Sequence, residues 1–287
     1  MEALFKFFQN RDLTTLYRYG NFLGNIAYYV LRGRRRVAER NCEIIGIKDI
    51  KKVVKESFKN TFCSFMEIFY LHKVDNEFIL NNVIIENEDK IRKLLEKYKS
   101  VFVVSAHIGS WEFTPVIFKK VFKINTAIVG RRIKNKKIDD FIKKQRSADG
   151  IKYFTHRDVA LELSKLVDEG YAIGTLLDHS ALSKDSVYVD FFGLKTSFIA
   201  GVPLLSLRKK IPILPIFLIR EDGYYKMIDY PPIFPERNGN IKENMEKVAR
   251  KINEVYEDII RKYPEQWYLI HKRFKRVRDG EETRSVY

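Results

Sequence analysis

Val101-Phe102-Val103-Val104-Ser105-Ala106-His107-Ile108-Gly109-Ser110-Trp111-Glu112-Phe113-Thr114-Pro115 decides how this chain folds. Four consecutive β-branched or aromatic residues follow the charged, helix-forming run from Ile91 to Lys99, which predicts a strand buried on both faces. Such a strand delivers His107 to its C-terminal end. In an open α/β sheet that end borders the crevice where ligands bind. Gly109 and Ser110 then turn the chain toward a second helix.

Whether His107 and Glu112 can meet depends on that turn. Along one continuous helix, five residues rotate a side chain by about 140° and separate the pair. Ser110 can cap the helix and put Glu112 in its first turn, or Thr114 and Pro115 can start it and leave residues 107 to 113 as a loop. In both cases the chain bends between the two groups. A carboxylate beside an imidazole fixes its tautomer and raises its basicity, as a base that deprotonates an alcohol requires. His72 and Glu77 share the spacing without the strand, so spacing alone does not assign the site.

Working outward, the rest of the chain alternates. Strands are expected at Asn82 to Glu86, Ile124 to Val129, Tyr171 to Leu177 and Ile213 to Ile219, with an antiparallel one at Tyr225 to Tyr230. A helix is expected to end near Phe122 after the turn at Gly109 and Ser110, and others to span Ile138 to Arg146, Asp158 to Asp168, Ser197 to Lys209 and Ile241 to Tyr263, the last stopped by Pro264. The fold class is α/β: a single domain with a mostly parallel mixed sheet flanked by helices. Ahead of it, Val53, Val54, Phe58, Phe62, Phe65, Met66, Phe69 and Tyr70 recur at helical steps and read as core.

The N-terminal residues read differently. Leu13, Leu16, Tyr17, Leu23, Ile26, Ala27 and Val30 fall on one helical stripe, and Arg32, Arg34, Arg35 and Arg36 follow. Charged and amide residues interrupt the segment too often for a transmembrane span. An aromatic amphipathic helix ending in a basic cluster suits an anionic membrane interface. The expected organisation is therefore a membrane-associating helix and basic cluster at residues 1–36, a domain at 37–278 and a tail at 279–287.

The chain of 287 residues carries 53 Lys and Arg against 37 Asp and Glu, a net charge of +16, which implies anionic partners. Its two cysteines, Cys42 and Cys63, have no ligand spacing, so neither a disulfide nor a metal site is expected. No G-x-S-x-G, G-x-x-x-x-G-K-[ST] or G-x-G-x-x-G motif occurs, which leaves acid–base chemistry without a cofactor. The alternative is a non-enzymatic basic protein that binds nucleic acid or a membrane surface. No nucleic-acid recognition motif supports it, and the basic residues are dispersed along the chain.

Several segments resemble the lipid A late acyltransferases and the related phosphatidylinositol mannoside acyltransferases. Arg34 to Asn41 is similar to that family's R-R-x-A-x-x-N run, and His107 to Glu112 to its H-x-x-x-x-[DE] block. Arg131 to Asn135 resembles its R-x-x-x-N segment; Asp178-His179 and Val187 to Gly193 resemble its D-[QH] and F-F-G segment. Tyr263 to Lys275 resembles its P-E-Q ending, with Ile270 in place of the usual Trp. The likeness runs from about residue 12 to residue 276.

It implies transfer of a fatty acyl chain from a thioester, on acyl carrier protein or coenzyme A, to a hydroxyl of a membrane glycolipid at the cytoplasmic face of the bacterial inner membrane. It also implies His107 as base, Glu112 as its orienting partner, and Arg131, Asn135, Asp178 and Arg273 as substrate-binding residues. The negative oxygen formed from the thioester needs a donor, and the backbone N–H groups around Gly109 and Ser110 or the cation of Arg131 are the expected sources.

Overall fold

The computed structural model describes residues 2–155, 160–182, 186–280 and 282–287. The chain begins with three helices: α1 (Glu2–Gln9), α2 (Leu13–Val30), capped by the Asp12 carboxylate on the Thr15 N–H, and α3 (Arg32–Ile44). The long helix α4 (Ile50–Glu67) and the short α5 (Asn76–Asn82) lead to β1 (Val83–Ile85). Next come α6 (Glu88–Tyr98), β2 (Val101–Ser105), α7 (Thr114–Phe122), β3 (Thr126–Gly130), α8 (Lys136–Arg146) and β4 (Lys152–Thr155). The helix α9 is described from Ala160 to Asp168; its expected first residues, Asp158 and Val159, lie outside the described residues.

After β5 (Ala172–Leu176) the chain forms β6 (Ser186–Phe191) and β7 (Leu194–Ile199), then α10 (Gly201–Lys209), β8 (Ile213–Arg220) and β9 (Tyr225–Asp229). It ends with α11 (Ile241–Lys262), β10 (Val277–Asp279) and β11 (Glu282–Arg284).

Among the described residues, seven strands form the main sheet in the order β1-β9-β8-β2-β5-β3-β4, with β8, β2, β5, β3 and β4 parallel and β9 antiparallel to β8. Every residue of β2 is buried, as its apolar run requires. Phe102 and Val104 face a core shared with Val248, Ile252, Tyr256 and Ile259 of α11; Val101 and Val103 face one shared with Ile91 and Leu95 of α6 and Val116, Ile117 and Phe118 of α7. Two helical layers thus enclose the sheet, which is the expected α/β class.

Several details depart from the expected elements. The helix expected from Ser197 begins at Gly201, because Leu194–Ile199 is a strand. It pairs with β6 across Phe192 and Gly193, both at positive φ (49° and 75°), the conformation of a tight two-residue hairpin turn. These strands, with β10 and β11, make a second, antiparallel sheet. A strand not expected, β4, extends the main sheet. The boundary expected at residue 36 falls inside α3, and residues 279–287, expected as a tail, fold back: the Tyr287 hydroxyl bonds to Asn41 and accepts from the Phe274 N–H.

On α2, Leu16, Gly20, Gly24 and Ala27 are buried, while Phe22, Ile26, Tyr29 and Val30 are exposed, so the sequence stripe is split between two faces. A Cβ on Gly20 would lie 2.8 Å from the Cys63 Cα, and one on Gly24 2.6 Å from the Lys59 Cα. The two glycines let α2 cross α4 at backbone contact. No described helix is long and apolar enough to cross a membrane.

Candidate active site

Register brings the site together. The strands β2 and β5 are parallel neighbours with Ser105 opposite Leu176, so two residues further on His107 and Asp178 emerge side by side. The Asp178 carboxylate accepts from the His107 backbone N–H (3.0 Å) and sits 2.7 Å from His107 Nδ1. Its Oδ2 also accepts from the Trp267 indole (3.0 Å). Burial alone would raise the Asp178 carboxyl. Electrostatic interaction with the neighbouring His107 and, less, His179 rings and the hydrogen bonds from His107 and Trp267 outweigh that and hold it well below the usual carboxylate range. An ionised Asp178 fixes the proton of His107 on Nδ1 and leaves Nε2 as the basic nitrogen.

The segment 264–271 closes over the end of β2. The Tyr268 N–H donates to the His107 carbonyl (2.8 Å), and Trp267 bridges to Ile108. Asn41, from the basic run of α3, holds this segment through its amide to the carbonyls of Leu269 (2.7 Å) and His271 (2.8 Å). The imidazoles of His107, His179 and His271 form a stack, with centroids 4.1 and 3.9 Å apart. Burial pushes His179 down to about 2, with the nearby His107 adding to it, and burial takes His271 down to about 4. Both are therefore neutral near pH 7. Ligand atoms of His107, Asp178 and His179 lie within 4.8 Å of one another. The His107 and His179 rings are parallel to within 3°, however, so their in-plane lone pairs run side by side, where a metal needs converging donors.

Glu112, expected beside His107, is placed otherwise. Helix α7 starts at Thr114, leaving residues 107–113 as a loop. The Glu112 carboxylate takes a two-pronged contact from Arg146 of α8 (Nε to Oε2 2.9 Å, Nη2 to Oε1 2.5 Å) and accepts from the Trp111 indole (3.1 Å). The neighbour of His107 Nδ1 is Asp178; Glu112 instead anchors Trp111, whose ring stands 5.5 Å from that of His107. The Gly109 and Ser110 N–H groups are both spent on backbone carbonyls, those of Gln266 and Leu218. They are not available to an oxyanion.

The remaining expected residues diverge. Arg131 is exposed just beyond β3, at the same sheet edge as His107. Asn135 caps α8 by accepting from the N–H groups of Lys137 (3.1 Å) and Ile138 (3.3 Å). Arg273 is fully buried, donates to the Ser197 carbonyl (3.0 Å) and lies over the Phe191 ring, both in the second sheet, so its cation is held inside the protein. Trp267 and Arg146 were not legible as site neighbours. Each acts through a partner far away in sequence, and only the fold makes them adjacent.

The rim of the site is aromatic. Phe65, partly exposed, contacts Trp111 and Tyr268, and Tyr268 stands 5.8 Å from His107.

Comparison with known proteins places this geometry in context. The chain is 22% identical over 277 residues to a lipid A biosynthesis lauroyltransferase of Escherichia coli, covering 94% of this chain and 88% of that protein. It is 21% identical over 272 residues to a palmitoleoyltransferase of lipid A biosynthesis from the same organism, covering 92% and 86%. A lipid A biosynthesis acyltransferase of Haemophilus influenzae matches at 29% over 109 residues, which is 37% of this chain and 32% of that protein. The family model of the bacterial lipid A biosynthesis acyltransferases matches residues 13–276, and the chain, an acyltransferase, belongs to that family.

Proposed function

We propose that this enzyme moves a fatty acyl chain from a thioester, carried by acyl carrier protein, to a hydroxyl of a lipid A precursor at the cytoplasmic face of the inner membrane. The observation that carries the reading is the 2.7 Å contact between His107 Nδ1 and Asp178 at the ends of adjacent parallel strands. His107 Nε2 takes the hydroxyl proton as the oxygen attacks the thioester carbon. The tetrahedral intermediate then expels the thiolate, and the imidazolium returns the proton to sulfur. A positioned base of this kind is worth about 10²- to 10⁴-fold in rate. Asp178 orients the ring and stabilises the imidazolium, the part that the H-x-x-x-x-[DE] spacing implies for Glu112. Arg131, exposed just beyond β3 at the same end of the sheet, is a cation that can serve the developing oxyanion or an anionic substrate group.

The membrane part of the reading rests on exposed side chains. Phe22, Ile26, Tyr29, Val30 and Leu31 form an apolar surface beside the basic cluster from Arg32 to Arg36, a combination suited to an anionic interface. The aromatic rim of Phe65 and Tyr268 gives a lipid acceptor an apolar approach to His107.

The test supplies purified protein with lauroyl-acyl carrier protein and a tetraacylated lipid A precursor, and follows the lipid by mass spectrometry. One added acyl mass is expected, lost in His107→Ala and kept in His72→Ala. Replacement by lauroyl-coenzyme A gives the relative rate of the two donors. Release of free laurate with no acylated lipid would overturn the transfer reading.

A further inference from the structure

Beneath the turn that follows His107 lies a buried polar cluster built from elements with no part in the sequence motifs. Glu67, the last residue of α4, and Arg220, the last of β8, form an ion pair of 2.7 Å, and Glu67 is fully buried. Arg220 Nη1 also donates to the Gly109 carbonyl (3.1 Å) and reaches the hydroxyls of Ser110 (3.1 Å) and Ser64 (3.0 Å); Nη2 holds the Asn60 carbonyl (3.0 Å). Glu67 Oε1 accepts from the Ser110 hydroxyl (2.6 Å) and from the Tyr17 hydroxyl of α2 (2.6 Å). The Ser64 hydroxyl gives the Gly109 carbonyl a second donor (2.8 Å). The peptide two residues beyond His107 is therefore clamped by side chains from α4 and β8.

That turn has no slack elsewhere. Gly109 sits at φ +59°, and a Cβ there would lie 2.1 Å from the Leu218 carbonyl oxygen. A buried ion pair gains little stability over apolar residues of the same volume, because desolvation cancels most of the attraction. What it does supply is fixed geometry, and here the fixed object is the loop that carries His107.

We propose that Glu67 and Arg220 are positioning residues for acyl transfer, locking the Gly109–Ser110 turn so that the His107 ring stays on Asp178. The proposal rests on His107 being the base. Through the Tyr17 hydroxyl the clamp also joins α2, which bears the exposed apolar surface, to the reacting end of the sheet.

The experiment uses the full-length chain in lipid–detergent micelles, with lauroyl-acyl carrier protein and the tetraacylated precursor. Arg220→Lys keeps the charge opposite Glu67 but cannot hold the Gly109 and Asn60 carbonyls together. Its kcat is expected to fall about 10- to 100-fold, the cost of a misplacement on the order of 1 Å, with KM for the thioester changed by no more than about threefold. Ser110→Ala, which removes one hydroxyl, is expected to show the same split in smaller measure, and it decides the matter if Arg220→Lys does not fold. In both, the proton resonance of the His107 Nδ1–H, identified by its loss in His107→Ala, should move. A wild-type kcat with an unmoved resonance in a folded Arg220→Lys and in Ser110→Ala would overturn the positioning role, even if thermal stability dropped. An active His107→Ala would instead overturn the assignment of the base, and this inference with it.

Discussion

His107 has two carboxylates within reach of its loop, and the residues around each assign different work to them. Asp178 touches the ring nitrogen and the backbone of His107, whereas Glu112 is committed to Arg146 and Trp111. Asp178→Asn is expected to lower kcat by at least about 10²-fold with a modest loss of stability, because an amide no longer favours the Nδ1 tautomer or the imidazolium. Glu112→Gln is expected to do the reverse. It strands the half-buried Arg146 cation, a loss of about 3 kcal/mol, while well-folded molecules keep most of their kcat. Chemical denaturation beside steady-state kinetics for both variants reads this out, and a Glu112→Gln enzyme that is stable but inactive would return the orienting role to Glu112. The stacked histidines make a second prediction. His179 and His271 titrate at about 2 and about 4 in the folded protein, below the ordinary histidine value of about 6.5 in the unfolded chain. Between those limits the unfolded chain holds the extra protons, so their contribution to stability is complete above about pH 6.5 and is lost as pH falls. The loss from pH 6.5 to 5 is on the order of 3 kcal/mol for the two together. Urea midpoints should fall across that window, and about half as steeply in His271→Gln.

At the scale of elements, the crossing of α2 on α4 is set by two glycines one helical turn apart. Gly24→Ala would press a methyl into the backbone of Phe58 and Lys59 and is expected to cost about 1–3 kcal/mol. Gly33, inside α3, has nothing within 4 Å of a Cβ, so Gly33→Ala should stabilise by about 0.5–1 kcal/mol through helix propensity alone. Opposite signs in thermal or urea unfolding check the pair. The hairpin of β6 and β7 shows how a local signal can be missed. Phe192 occupies a left-handed conformation that a bulky side chain adopts only under constraint. The constraint is tertiary: its N–H donates to Glu257 (2.7 Å) and its ring lies under the Arg261 guanidinium, both on α11.

For the whole molecule, the packing of α2 changes how membrane attachment is tested. Removing residues 1–31 would strip Tyr17 from the Glu67 cluster and uncover α4, so loss of binding in such a truncation would carry no information about the surface. Substituting the exposed positions leaves the buried face intact. The triple variant Phe22→Asp, Ile26→Asp, Val30→Asp is expected to lose most of its flotation with vesicles rich in phosphatidylglycerol while its melting temperature holds. Undiminished flotation would move the anchor to another surface.

The α/β class, the buried strand leading to His107 and, through separate motifs, the family were all legible in the sequence. These follow from signals that are local: apolar runs, turn residues, caps and short spacings. Tertiary structure alone decided the company His107 keeps. Asp178 is 71 residues away and becomes its neighbour through the register of β2 with β5. The same holds for Arg146 on Glu112 and Arg220 on Glu67, each a long-range pair that no spacing encodes. It also separated residues that the motifs group together: Arg131 stays open at the sheet end, Arg273 is buried against the second sheet and Asn135 is spent on a helix cap. Polar side chains are assigned by the partners that burial brings to them, and burial is a property of the assembled layers.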